Sequence, residues 1–163
     1  MDEDNQLYIL DIDVFKSDKI SEYFKRIIDL HVRWEFRKLR AEVTVAQAVI
    51  VRDLKMKVKE AGHSLVIEEY RPTRKEGTKE ERIASALEHR YDNMEVWHYQ
   101  GGYTEMLEEQ LILSKPPKDD IKDALASAVE IAIKPARSSR RGAESKSKQH
   151  IFNSRFGGVS FRG

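Results

Sequence analysis

The alternation of two periodicities constrains this chain most. LYILDIDVF (Leu7–Phe15) alternates apolar and polar residues as a strand does. Ile20, Tyr23, Phe24, Ile27 and His31 then recur at helical spacing behind a Ser17 or Asp18 cap. KLRAEVTV (Lys38–Val45) reads as a second strand. AQAVIVRDLKMKVKEAG follows with Ile50, Leu54 and Val58 on one helical face, and it stops at Gly62, the residue type favoured just past a helix end. The pattern repeats with SLVIEEY (Ser64–Tyr70) as strand and KEERIASALEHRY (Lys79–Tyr91) as helix. MEVWHY (Met94–Tyr99) is a short strand, a Gly101-Gly102 loop leads into the brief helix TEMLEEQL, and Pro116 and Pro117 break the chain before a last apolar helix. Strands and helices in this order predict an α/β sheet whose parallel neighbours are joined by crossover helices, with the first strand at an edge.

A chain of 163 residues, 40% of them hydrophobic, is long enough to bury one real core. It contains no cysteine, so disulfides and thiolate metal sites are excluded, which agrees with a reducing compartment. No apolar run reaches the roughly 20 residues that span a bilayer, and the acidic start MDEDNQ is unlike a secretory signal, so no membrane association is expected. Charge is divided unevenly. Residues 134–163 carry eight Lys or Arg against the single acid Glu144, a net +7, which leaves residues 1–133 at −6. This basic segment is rich in Ser, Gly and Arg and poor in aliphatics, so it is expected to be disordered alone. Residues 1–133 therefore read as the folded domain and 134–163 as a basic tail that either neutralises phosphates, through Arg140 and Arg141 for example, or solubilises the terminus.

The last helix carries the chemistry. KPPKDDIKDALASAVEIAI (Lys115–Ile133) gathers Asp119, Asp120 and Asp123 at its head, with Leu125, Ala128, Val129 and Ala132 available to face a core. Ordinary helix chemistry accounts for two of the acids: Asp119 as cap and Asp120 as complement to the dipole, each worth about 1 kcal/mol. Asp123 lies deeper and shares a face with Asp120, where like charges repel unless a cation lies between them. Magnesium prefers such oxygen donors. Glu42, in the otherwise apolar LRAEVTVAQA, is a further candidate ligand if its strand is buried, and needs no explanation if it projects to solvent.

The ordered combination of YILDI, AEVTVAQ, KEERIASAL, MEVWH, MLEEQL and DDIKDALASAV resembles the C-terminal nuclease domain of tailed-bacteriophage terminase large subunits. The resemblance covers roughly residues 7–133, and DDxxDA before an apolar helix is its sharpest part. It implies a ribonuclease H-like mixed sheet flanked by helices, and metal-dependent endonucleolytic cleavage of concatemeric DNA during viral genome packaging. Glu42 would correspond to the central strand carboxylate, Asp120 and Asp123 to the C-terminal acids, and Asp119 to an auxiliary ligand or cap. Together they would hold two Mg²⁺ or Mn²⁺ ions about 4 Å apart over the scissile phosphate. Lys115 and Lys118 flank the acids and could meet the DNA backbone, or be solvated loop lysines. Implied partners are double-stranded DNA, the upstream ATPase part of the terminase, its small subunit and the portal protein, in the host cytoplasm.

This chain departs from the family pattern at its start. The family's first strand bears a metal-binding aspartate, whereas here the sequence begins almost at the YxLD strand, so Asp11 and Asp13 are poor substitutes, with Asp11 the better of the two. No G-x-x-x-x-G-K-[ST] phosphate loop is present. The resemblance thus implies an N-terminally truncated domain that lacks two strands and the ATPase, and that gains activity with an upstream partner. Two other functions compete: a non-catalytic DNA-binding or portal- or capsid-docking fragment of a split terminase, and a ribonuclease H-like junction resolvase. His31, His63, His89, His98 and His150 lack metal-ligand spacing and read as ordinary core or surface residues, and Trp97 and Tyr99 read as strand packing.

Overall fold

A computed structural model describes residues 1–44, 48–73, 77–113, 116–134 and 161–162. Ten elements follow in chain order: β1 (Leu7–Ile9), α1 (Ile20–Trp34), β2 (Lys38–Glu42), α2 (Ala48–Glu60), β3 (Val66–Tyr70), α3 (Lys79–Asp92), β4 (Val96–Tyr99), α4 (Thr104–Ile112), α5 (Asp120–Ile131) and β5 (Phe161–Arg162). The class is mixed α/β, as the alternating periodicities predict. The strands form two small sheets among the described residues. β2 and β3 run parallel with Glu42 opposite Tyr70, joined through α2, and β1 runs parallel to β4 with Leu7 opposite Val96. β5 adds antiparallel to the far side of β4, which leaves β1 at an edge. Phe161 and Arg162, in the segment expected to be a disordered tail, thus have a strand backbone. Residues 135–160 lie outside the described residues, and Arg140 and Arg141 with them.

The first strand is shorter than its alternation predicts. After Ile9 the chain leaves β4, and its acids turn to α1. Asp13 takes both oxygens to Arg26 at 2.7 and 2.9 Å, while Asp11 accepts from Arg33 and from the Trp34 indole at 2.8 and 3.0 Å. Charge pairing across a loop has displaced the ladder that period two alone would suggest. The start of α1 also differs from expectation: Lys19 is the cap residue without a side-chain bond, and Ser17 Oγ accepts from the Lys19 amide instead.

Two apolar clusters hold the molecule. Leu7, Ile9 and Val96 from the three-stranded sheet pack with Ile83 and Leu87 of α3, Leu107 of α4, and Ile121, Ala126 and Val129 of α5. Val51, Leu54 and Val58 of α2 pack with Val43 and Ile67, against which Phe24, Ile27 and Ile28 of α1 lean. The α2 stripe keeps the predicted Leu54 and Val58, but its first member differs: Val51 is buried in place of Ile50, which is 37% exposed. In α5 the buried set is Ile121, Ala126 and Val129, with Leu125 partly covered and Ala128 exposed.

The start of α3 is locally well determined. Thr78 and Glu81 form a reciprocal capping box, with the Glu81 amide donating to Thr78 Oγ1 at 3.2 Å and the Thr78 amide to Glu81 Oε2 at 2.7 Å. Gly77 makes this possible. Its φ is +87°, and a Cβ there would come within 2.5 Å of Glu81 Oε2.

Candidate functional site

Helices α3 and α5 pack side by side, and their N-terminal ends meet. This brings Lys79, the first residue of α3, to the head of α5. Its ammonium nitrogen lies 2.8 Å from Asp119 Oδ1 and 3.3 Å from Asp123 Oδ2. The carboxylates that share a cation are therefore Asp119 and Asp123. The expected pairing of Asp120 with Asp123 is replaced, since Asp120 is exposed and makes no hydrogen bond or ion pair among the described residues. Burial, the largest single influence on Lys79, pulls its pKa down. The hydrogen bonds and charges of the two aspartates together outweigh it and hold the ammonium above the ordinary lysine value. The hydrogen bond from Lys79 likewise holds Asp119 below the ordinary carboxylate range against the opposing effect of burial.

Asp119 occupies the N-cap position of α5 but makes no side-chain cap bond. The expected capping role falls to Gln110 of α4. Its Oε1 accepts from the amides of Ile121 and Lys122 at 3.1 and 3.0 Å, so two free donors of the first turn are satisfied from a neighbouring helix. This leaves the Asp119 carboxylate available to Lys79. Gln110 is not legible as a cap from the sequence, because it stands among the polar residues Glu105, Glu108 and Glu109 of α4.

Glu42 ends β2 and is exposed, which matches the simpler of its two expected environments. Across the ladder stands Tyr70, whose hydroxyl receives a 2.9 Å bond from Arg82 of α3. That bond is the largest influence raising the Arg82 pKa. Burial opposes it, and the nearby charges of Asp123 and Glu42 add to it. Glu42 from β2 and Asp123 from α5 thus lie in electrostatic reach of one guanidinium. Beside it, Arg40 packs over the Tyr70 ring at 4.8 Å and pairs with Glu68 at 3.0 Å and with Glu130 of α5. Arg40, Tyr70, Glu81, Arg82, Ser85 and Glu130 line a surface cavity of about 350 Å³.

The predicted set is therefore partly brought together. Asp119 and Asp123 meet at Lys79, and Glu42 approaches Asp123 through Arg82. Asp120 and Lys118 are exposed at the head of α5, and Asp11 is committed to α1. Lys115 lies outside the described residues. Oxygen donors of this kind suit a hard divalent ion. Their arrangement does not, because an ammonium lies between the two acids that converge, and no three His, Cys, Asp or Glu residues are grouped to hold a metal among the described residues. Lys79, Arg82, Tyr70 and Arg40 are the residues that sequence reasoning missed. The one available signal was a lysine in the first turn of a helix, where the dipole disfavours a cation.

No family model, curated protein or solved structure matches the chain. No helix among the described residues is long and apolar enough to cross a membrane.

Proposed function

We propose that this chain is the nuclease part of a phage terminase large subunit, a ribonuclease H-like domain that acts on double-stranded DNA during genome packaging in the host cytoplasm. The order of its segments supports the reading. A weaker support is electrostatic: after the bond to Tyr70 and the opposing effect of burial, the charges of Asp123 from the last helix and Glu42 from a strand, far apart in sequence, both help to raise the Arg82 pKa. Glu42, Asp119, Asp120 and Asp123 are the acids proposed to serve Mg²⁺ or Mn²⁺, and the upstream ATPase part, the small subunit and the portal are the proposed partners. Concatemeric or supercoiled DNA incubated with Mn²⁺ or Mg²⁺, with and without the upstream polypeptide, tests it. Cutting is expected to disappear in Asp123→Asn and Glu42→Gln while DNA binding, read by gel shift, is retained. Cutting by both variants at the wild-type rate would exclude the nuclease assignment.

The Lys79 bridge favours a second reading, a non-catalytic DNA-binding or portal-docking fragment, because a lysine already neutralises the acids. In that case neither the wild-type chain nor its mixture with the upstream half cuts. DNA or portal binding then survives substitution of Asp120 and Asp123 by Asn.

A further inference from the structure

We propose that Lys79 is the built-in cation of this acid cluster: its ammonium takes the place between Asp119 and Asp123 that a divalent ion would otherwise fill, so metal binding must first displace it. Three independent observations carry this. The nitrogen bridges both carboxylates at 2.8 and 3.3 Å, which is the work of a shared counter-ion rather than a single ion pair. Lys79 is also poorly placed for its own helix, since a cation in the first turn of α3 opposes the helix dipole. The two aspartates of the neighbouring helix offset that conflict. Finally, Asp119 is released from capping α5 because Gln110 does that work, so its carboxylate is oriented by Lys79 rather than by local helix chemistry.

One turn along α3, the Arg82 guanidinium donates to the Tyr70 hydroxyl and also feels the charges of Asp123 and Glu42. Helix α3 therefore directs two cations, Lys79 and Arg82, toward Asp119, Asp123 and Glu42, while Asp120 stays exposed. The consequence is a site that is electrostatically satisfied without metal. A divalent ion gains the attraction of two carboxylates only by expelling an ammonium that holds both, and the exchange leaves that ammonium facing the new ion as a like charge. This inference does not depend on the nuclease reading, because it concerns metal binding with no DNA present.

Titration of the metal-free chain with Mn²⁺ alone, followed by calorimetry, tests it in four forms: wild type, Lys79→Met, Lys79→Arg and the double variant Lys79→Met/Asp123→Asn. Lys79→Met is expected to bind Mn²⁺ about tenfold more tightly than wild type, within the range by which groups around a ligand set alter metal affinity. Lys79→Arg should stay at the wild-type level, and the double variant should fall back to it. Equal affinity of wild type and Lys79→Met, including no binding by either, overturns the proposal.

A second measurement covers the possibility that Lys79→Met is unstable. Urea unfolding in EDTA of Lys79→Met, Asp119→Asn and the pair forms a double-mutant cycle, in which the bridge requires a non-zero coupling. Strictly additive effects overturn it as well. Failure of the cleavage assay alongside a positive Mn²⁺ result would remove the nuclease assignment and leave Lys79 in this role.

Discussion

Tyr91, His98 and Glu108 show what a buried histidine needs. His98, on β4 and 7% exposed, has its Nε2 2.8 Å from the Tyr91 hydroxyl and its Nδ1 3.1 Å from Glu108 Oε1. The two partners assign the proton: Nδ1–H donates to the carboxylate and Nε2 accepts from the phenol, so the imidazole is satisfied while neutral. Burial is the main cause that raises the Tyr91 pKa above its ordinary 10.0, and the Glu108 charge adds to it. A folded pKa above the unfolded one contributes stability that is complete below about pH 10 and is lost as pH rises toward the folded value. Tyr91→Phe is expected to cost about 1–3 kcal/mol at neutral pH, by leaving Nε2 without its donor. The same variant should lose less stability than wild type between pH 9 and 11 in urea melts, and an alkaline decline as steep as the wild type's would refute this account. The sequence left His98 as an ordinary core or surface residue, for want of metal-ligand spacing, and the structure puts it in the core. The sequence could not name Tyr91 or Glu108 as partners, since those contacts come from how α3 and α4 seat against β4. Lys79 was hidden for the same reason: the aspartates of DDIKD were visible as a charge problem, but the lysine that resolves it comes from another helix.

At the scale of elements, Arg40 ties the two-stranded sheet to α5. Its side chain is 12% exposed and pairs with Glu68 on β3 and Glu130 on α5, whose own side chains are 43% and 38% exposed. The asymmetry in burial makes the two halves of this bridge respond differently. Removing the charge with Arg40→Met leaves two carboxylates that can turn to water, and a methionine stem can cover much of the same apolar surface, so the expected loss is about 2 kcal/mol or less. Removing both carboxylates in Glu68→Ala/Glu130→Ala strands a nearly buried guanidinium, and about 3–5 kcal/mol should be lost. Urea midpoints of the two variants decide it, and equal losses would show that the guanidinium reaches solvent more freely than its burial indicates. Nothing in the spacing of KLRAE marks Arg40 as an inward residue, because an arginine in a five-residue strand reads as the polar half of an alternation. Period-two reasoning succeeded for β3 and β4 and failed for the second half of LYILDIDVF. There the alternation continues but no strand among the described residues pairs with it, and Asp11 and Asp13 find cations on α1 instead. The helices fared better, being set by local chemistry such as the Thr78–Glu81 box.

Among the described residues, the two apolar clusters share no buried member, and polar contacts of α3 and α5 with β2 and β3 are prominent among the links between them. Of the described residues, the cluster built from β1, β4, α3, α4 and α5 has nine buried members and the one around α2 and β3 has five, with α1 adding only partly covered side chains and no buried residue of its own. Fewer fully buried groups mean less apolar surface removed from water, so the smaller cluster should open at a lower free energy than the larger one. Native-state hydrogen exchange is expected to give two protection classes: amides of β2, β3 and α2 exchanging through a partial opening, and amides of β4, α3 and α5 only through global unfolding. The bridges through Arg40 to Glu130 and from Arg82 to Tyr70 are what the partial opening must break. Glu68→Ala/Glu130→Ala should therefore lower protection of the β2, β3 and α2 amides by more than that of the β4 amides, widening the gap between the classes. Leu87→Ala, in the larger cluster, should instead cost about 2–5 kcal/mol of global stability and narrow that gap. A single protection class in the wild-type chain that moves as one in both variants would mean that the clusters are cooperative, and that polar links suffice to make one folding unit of two cores.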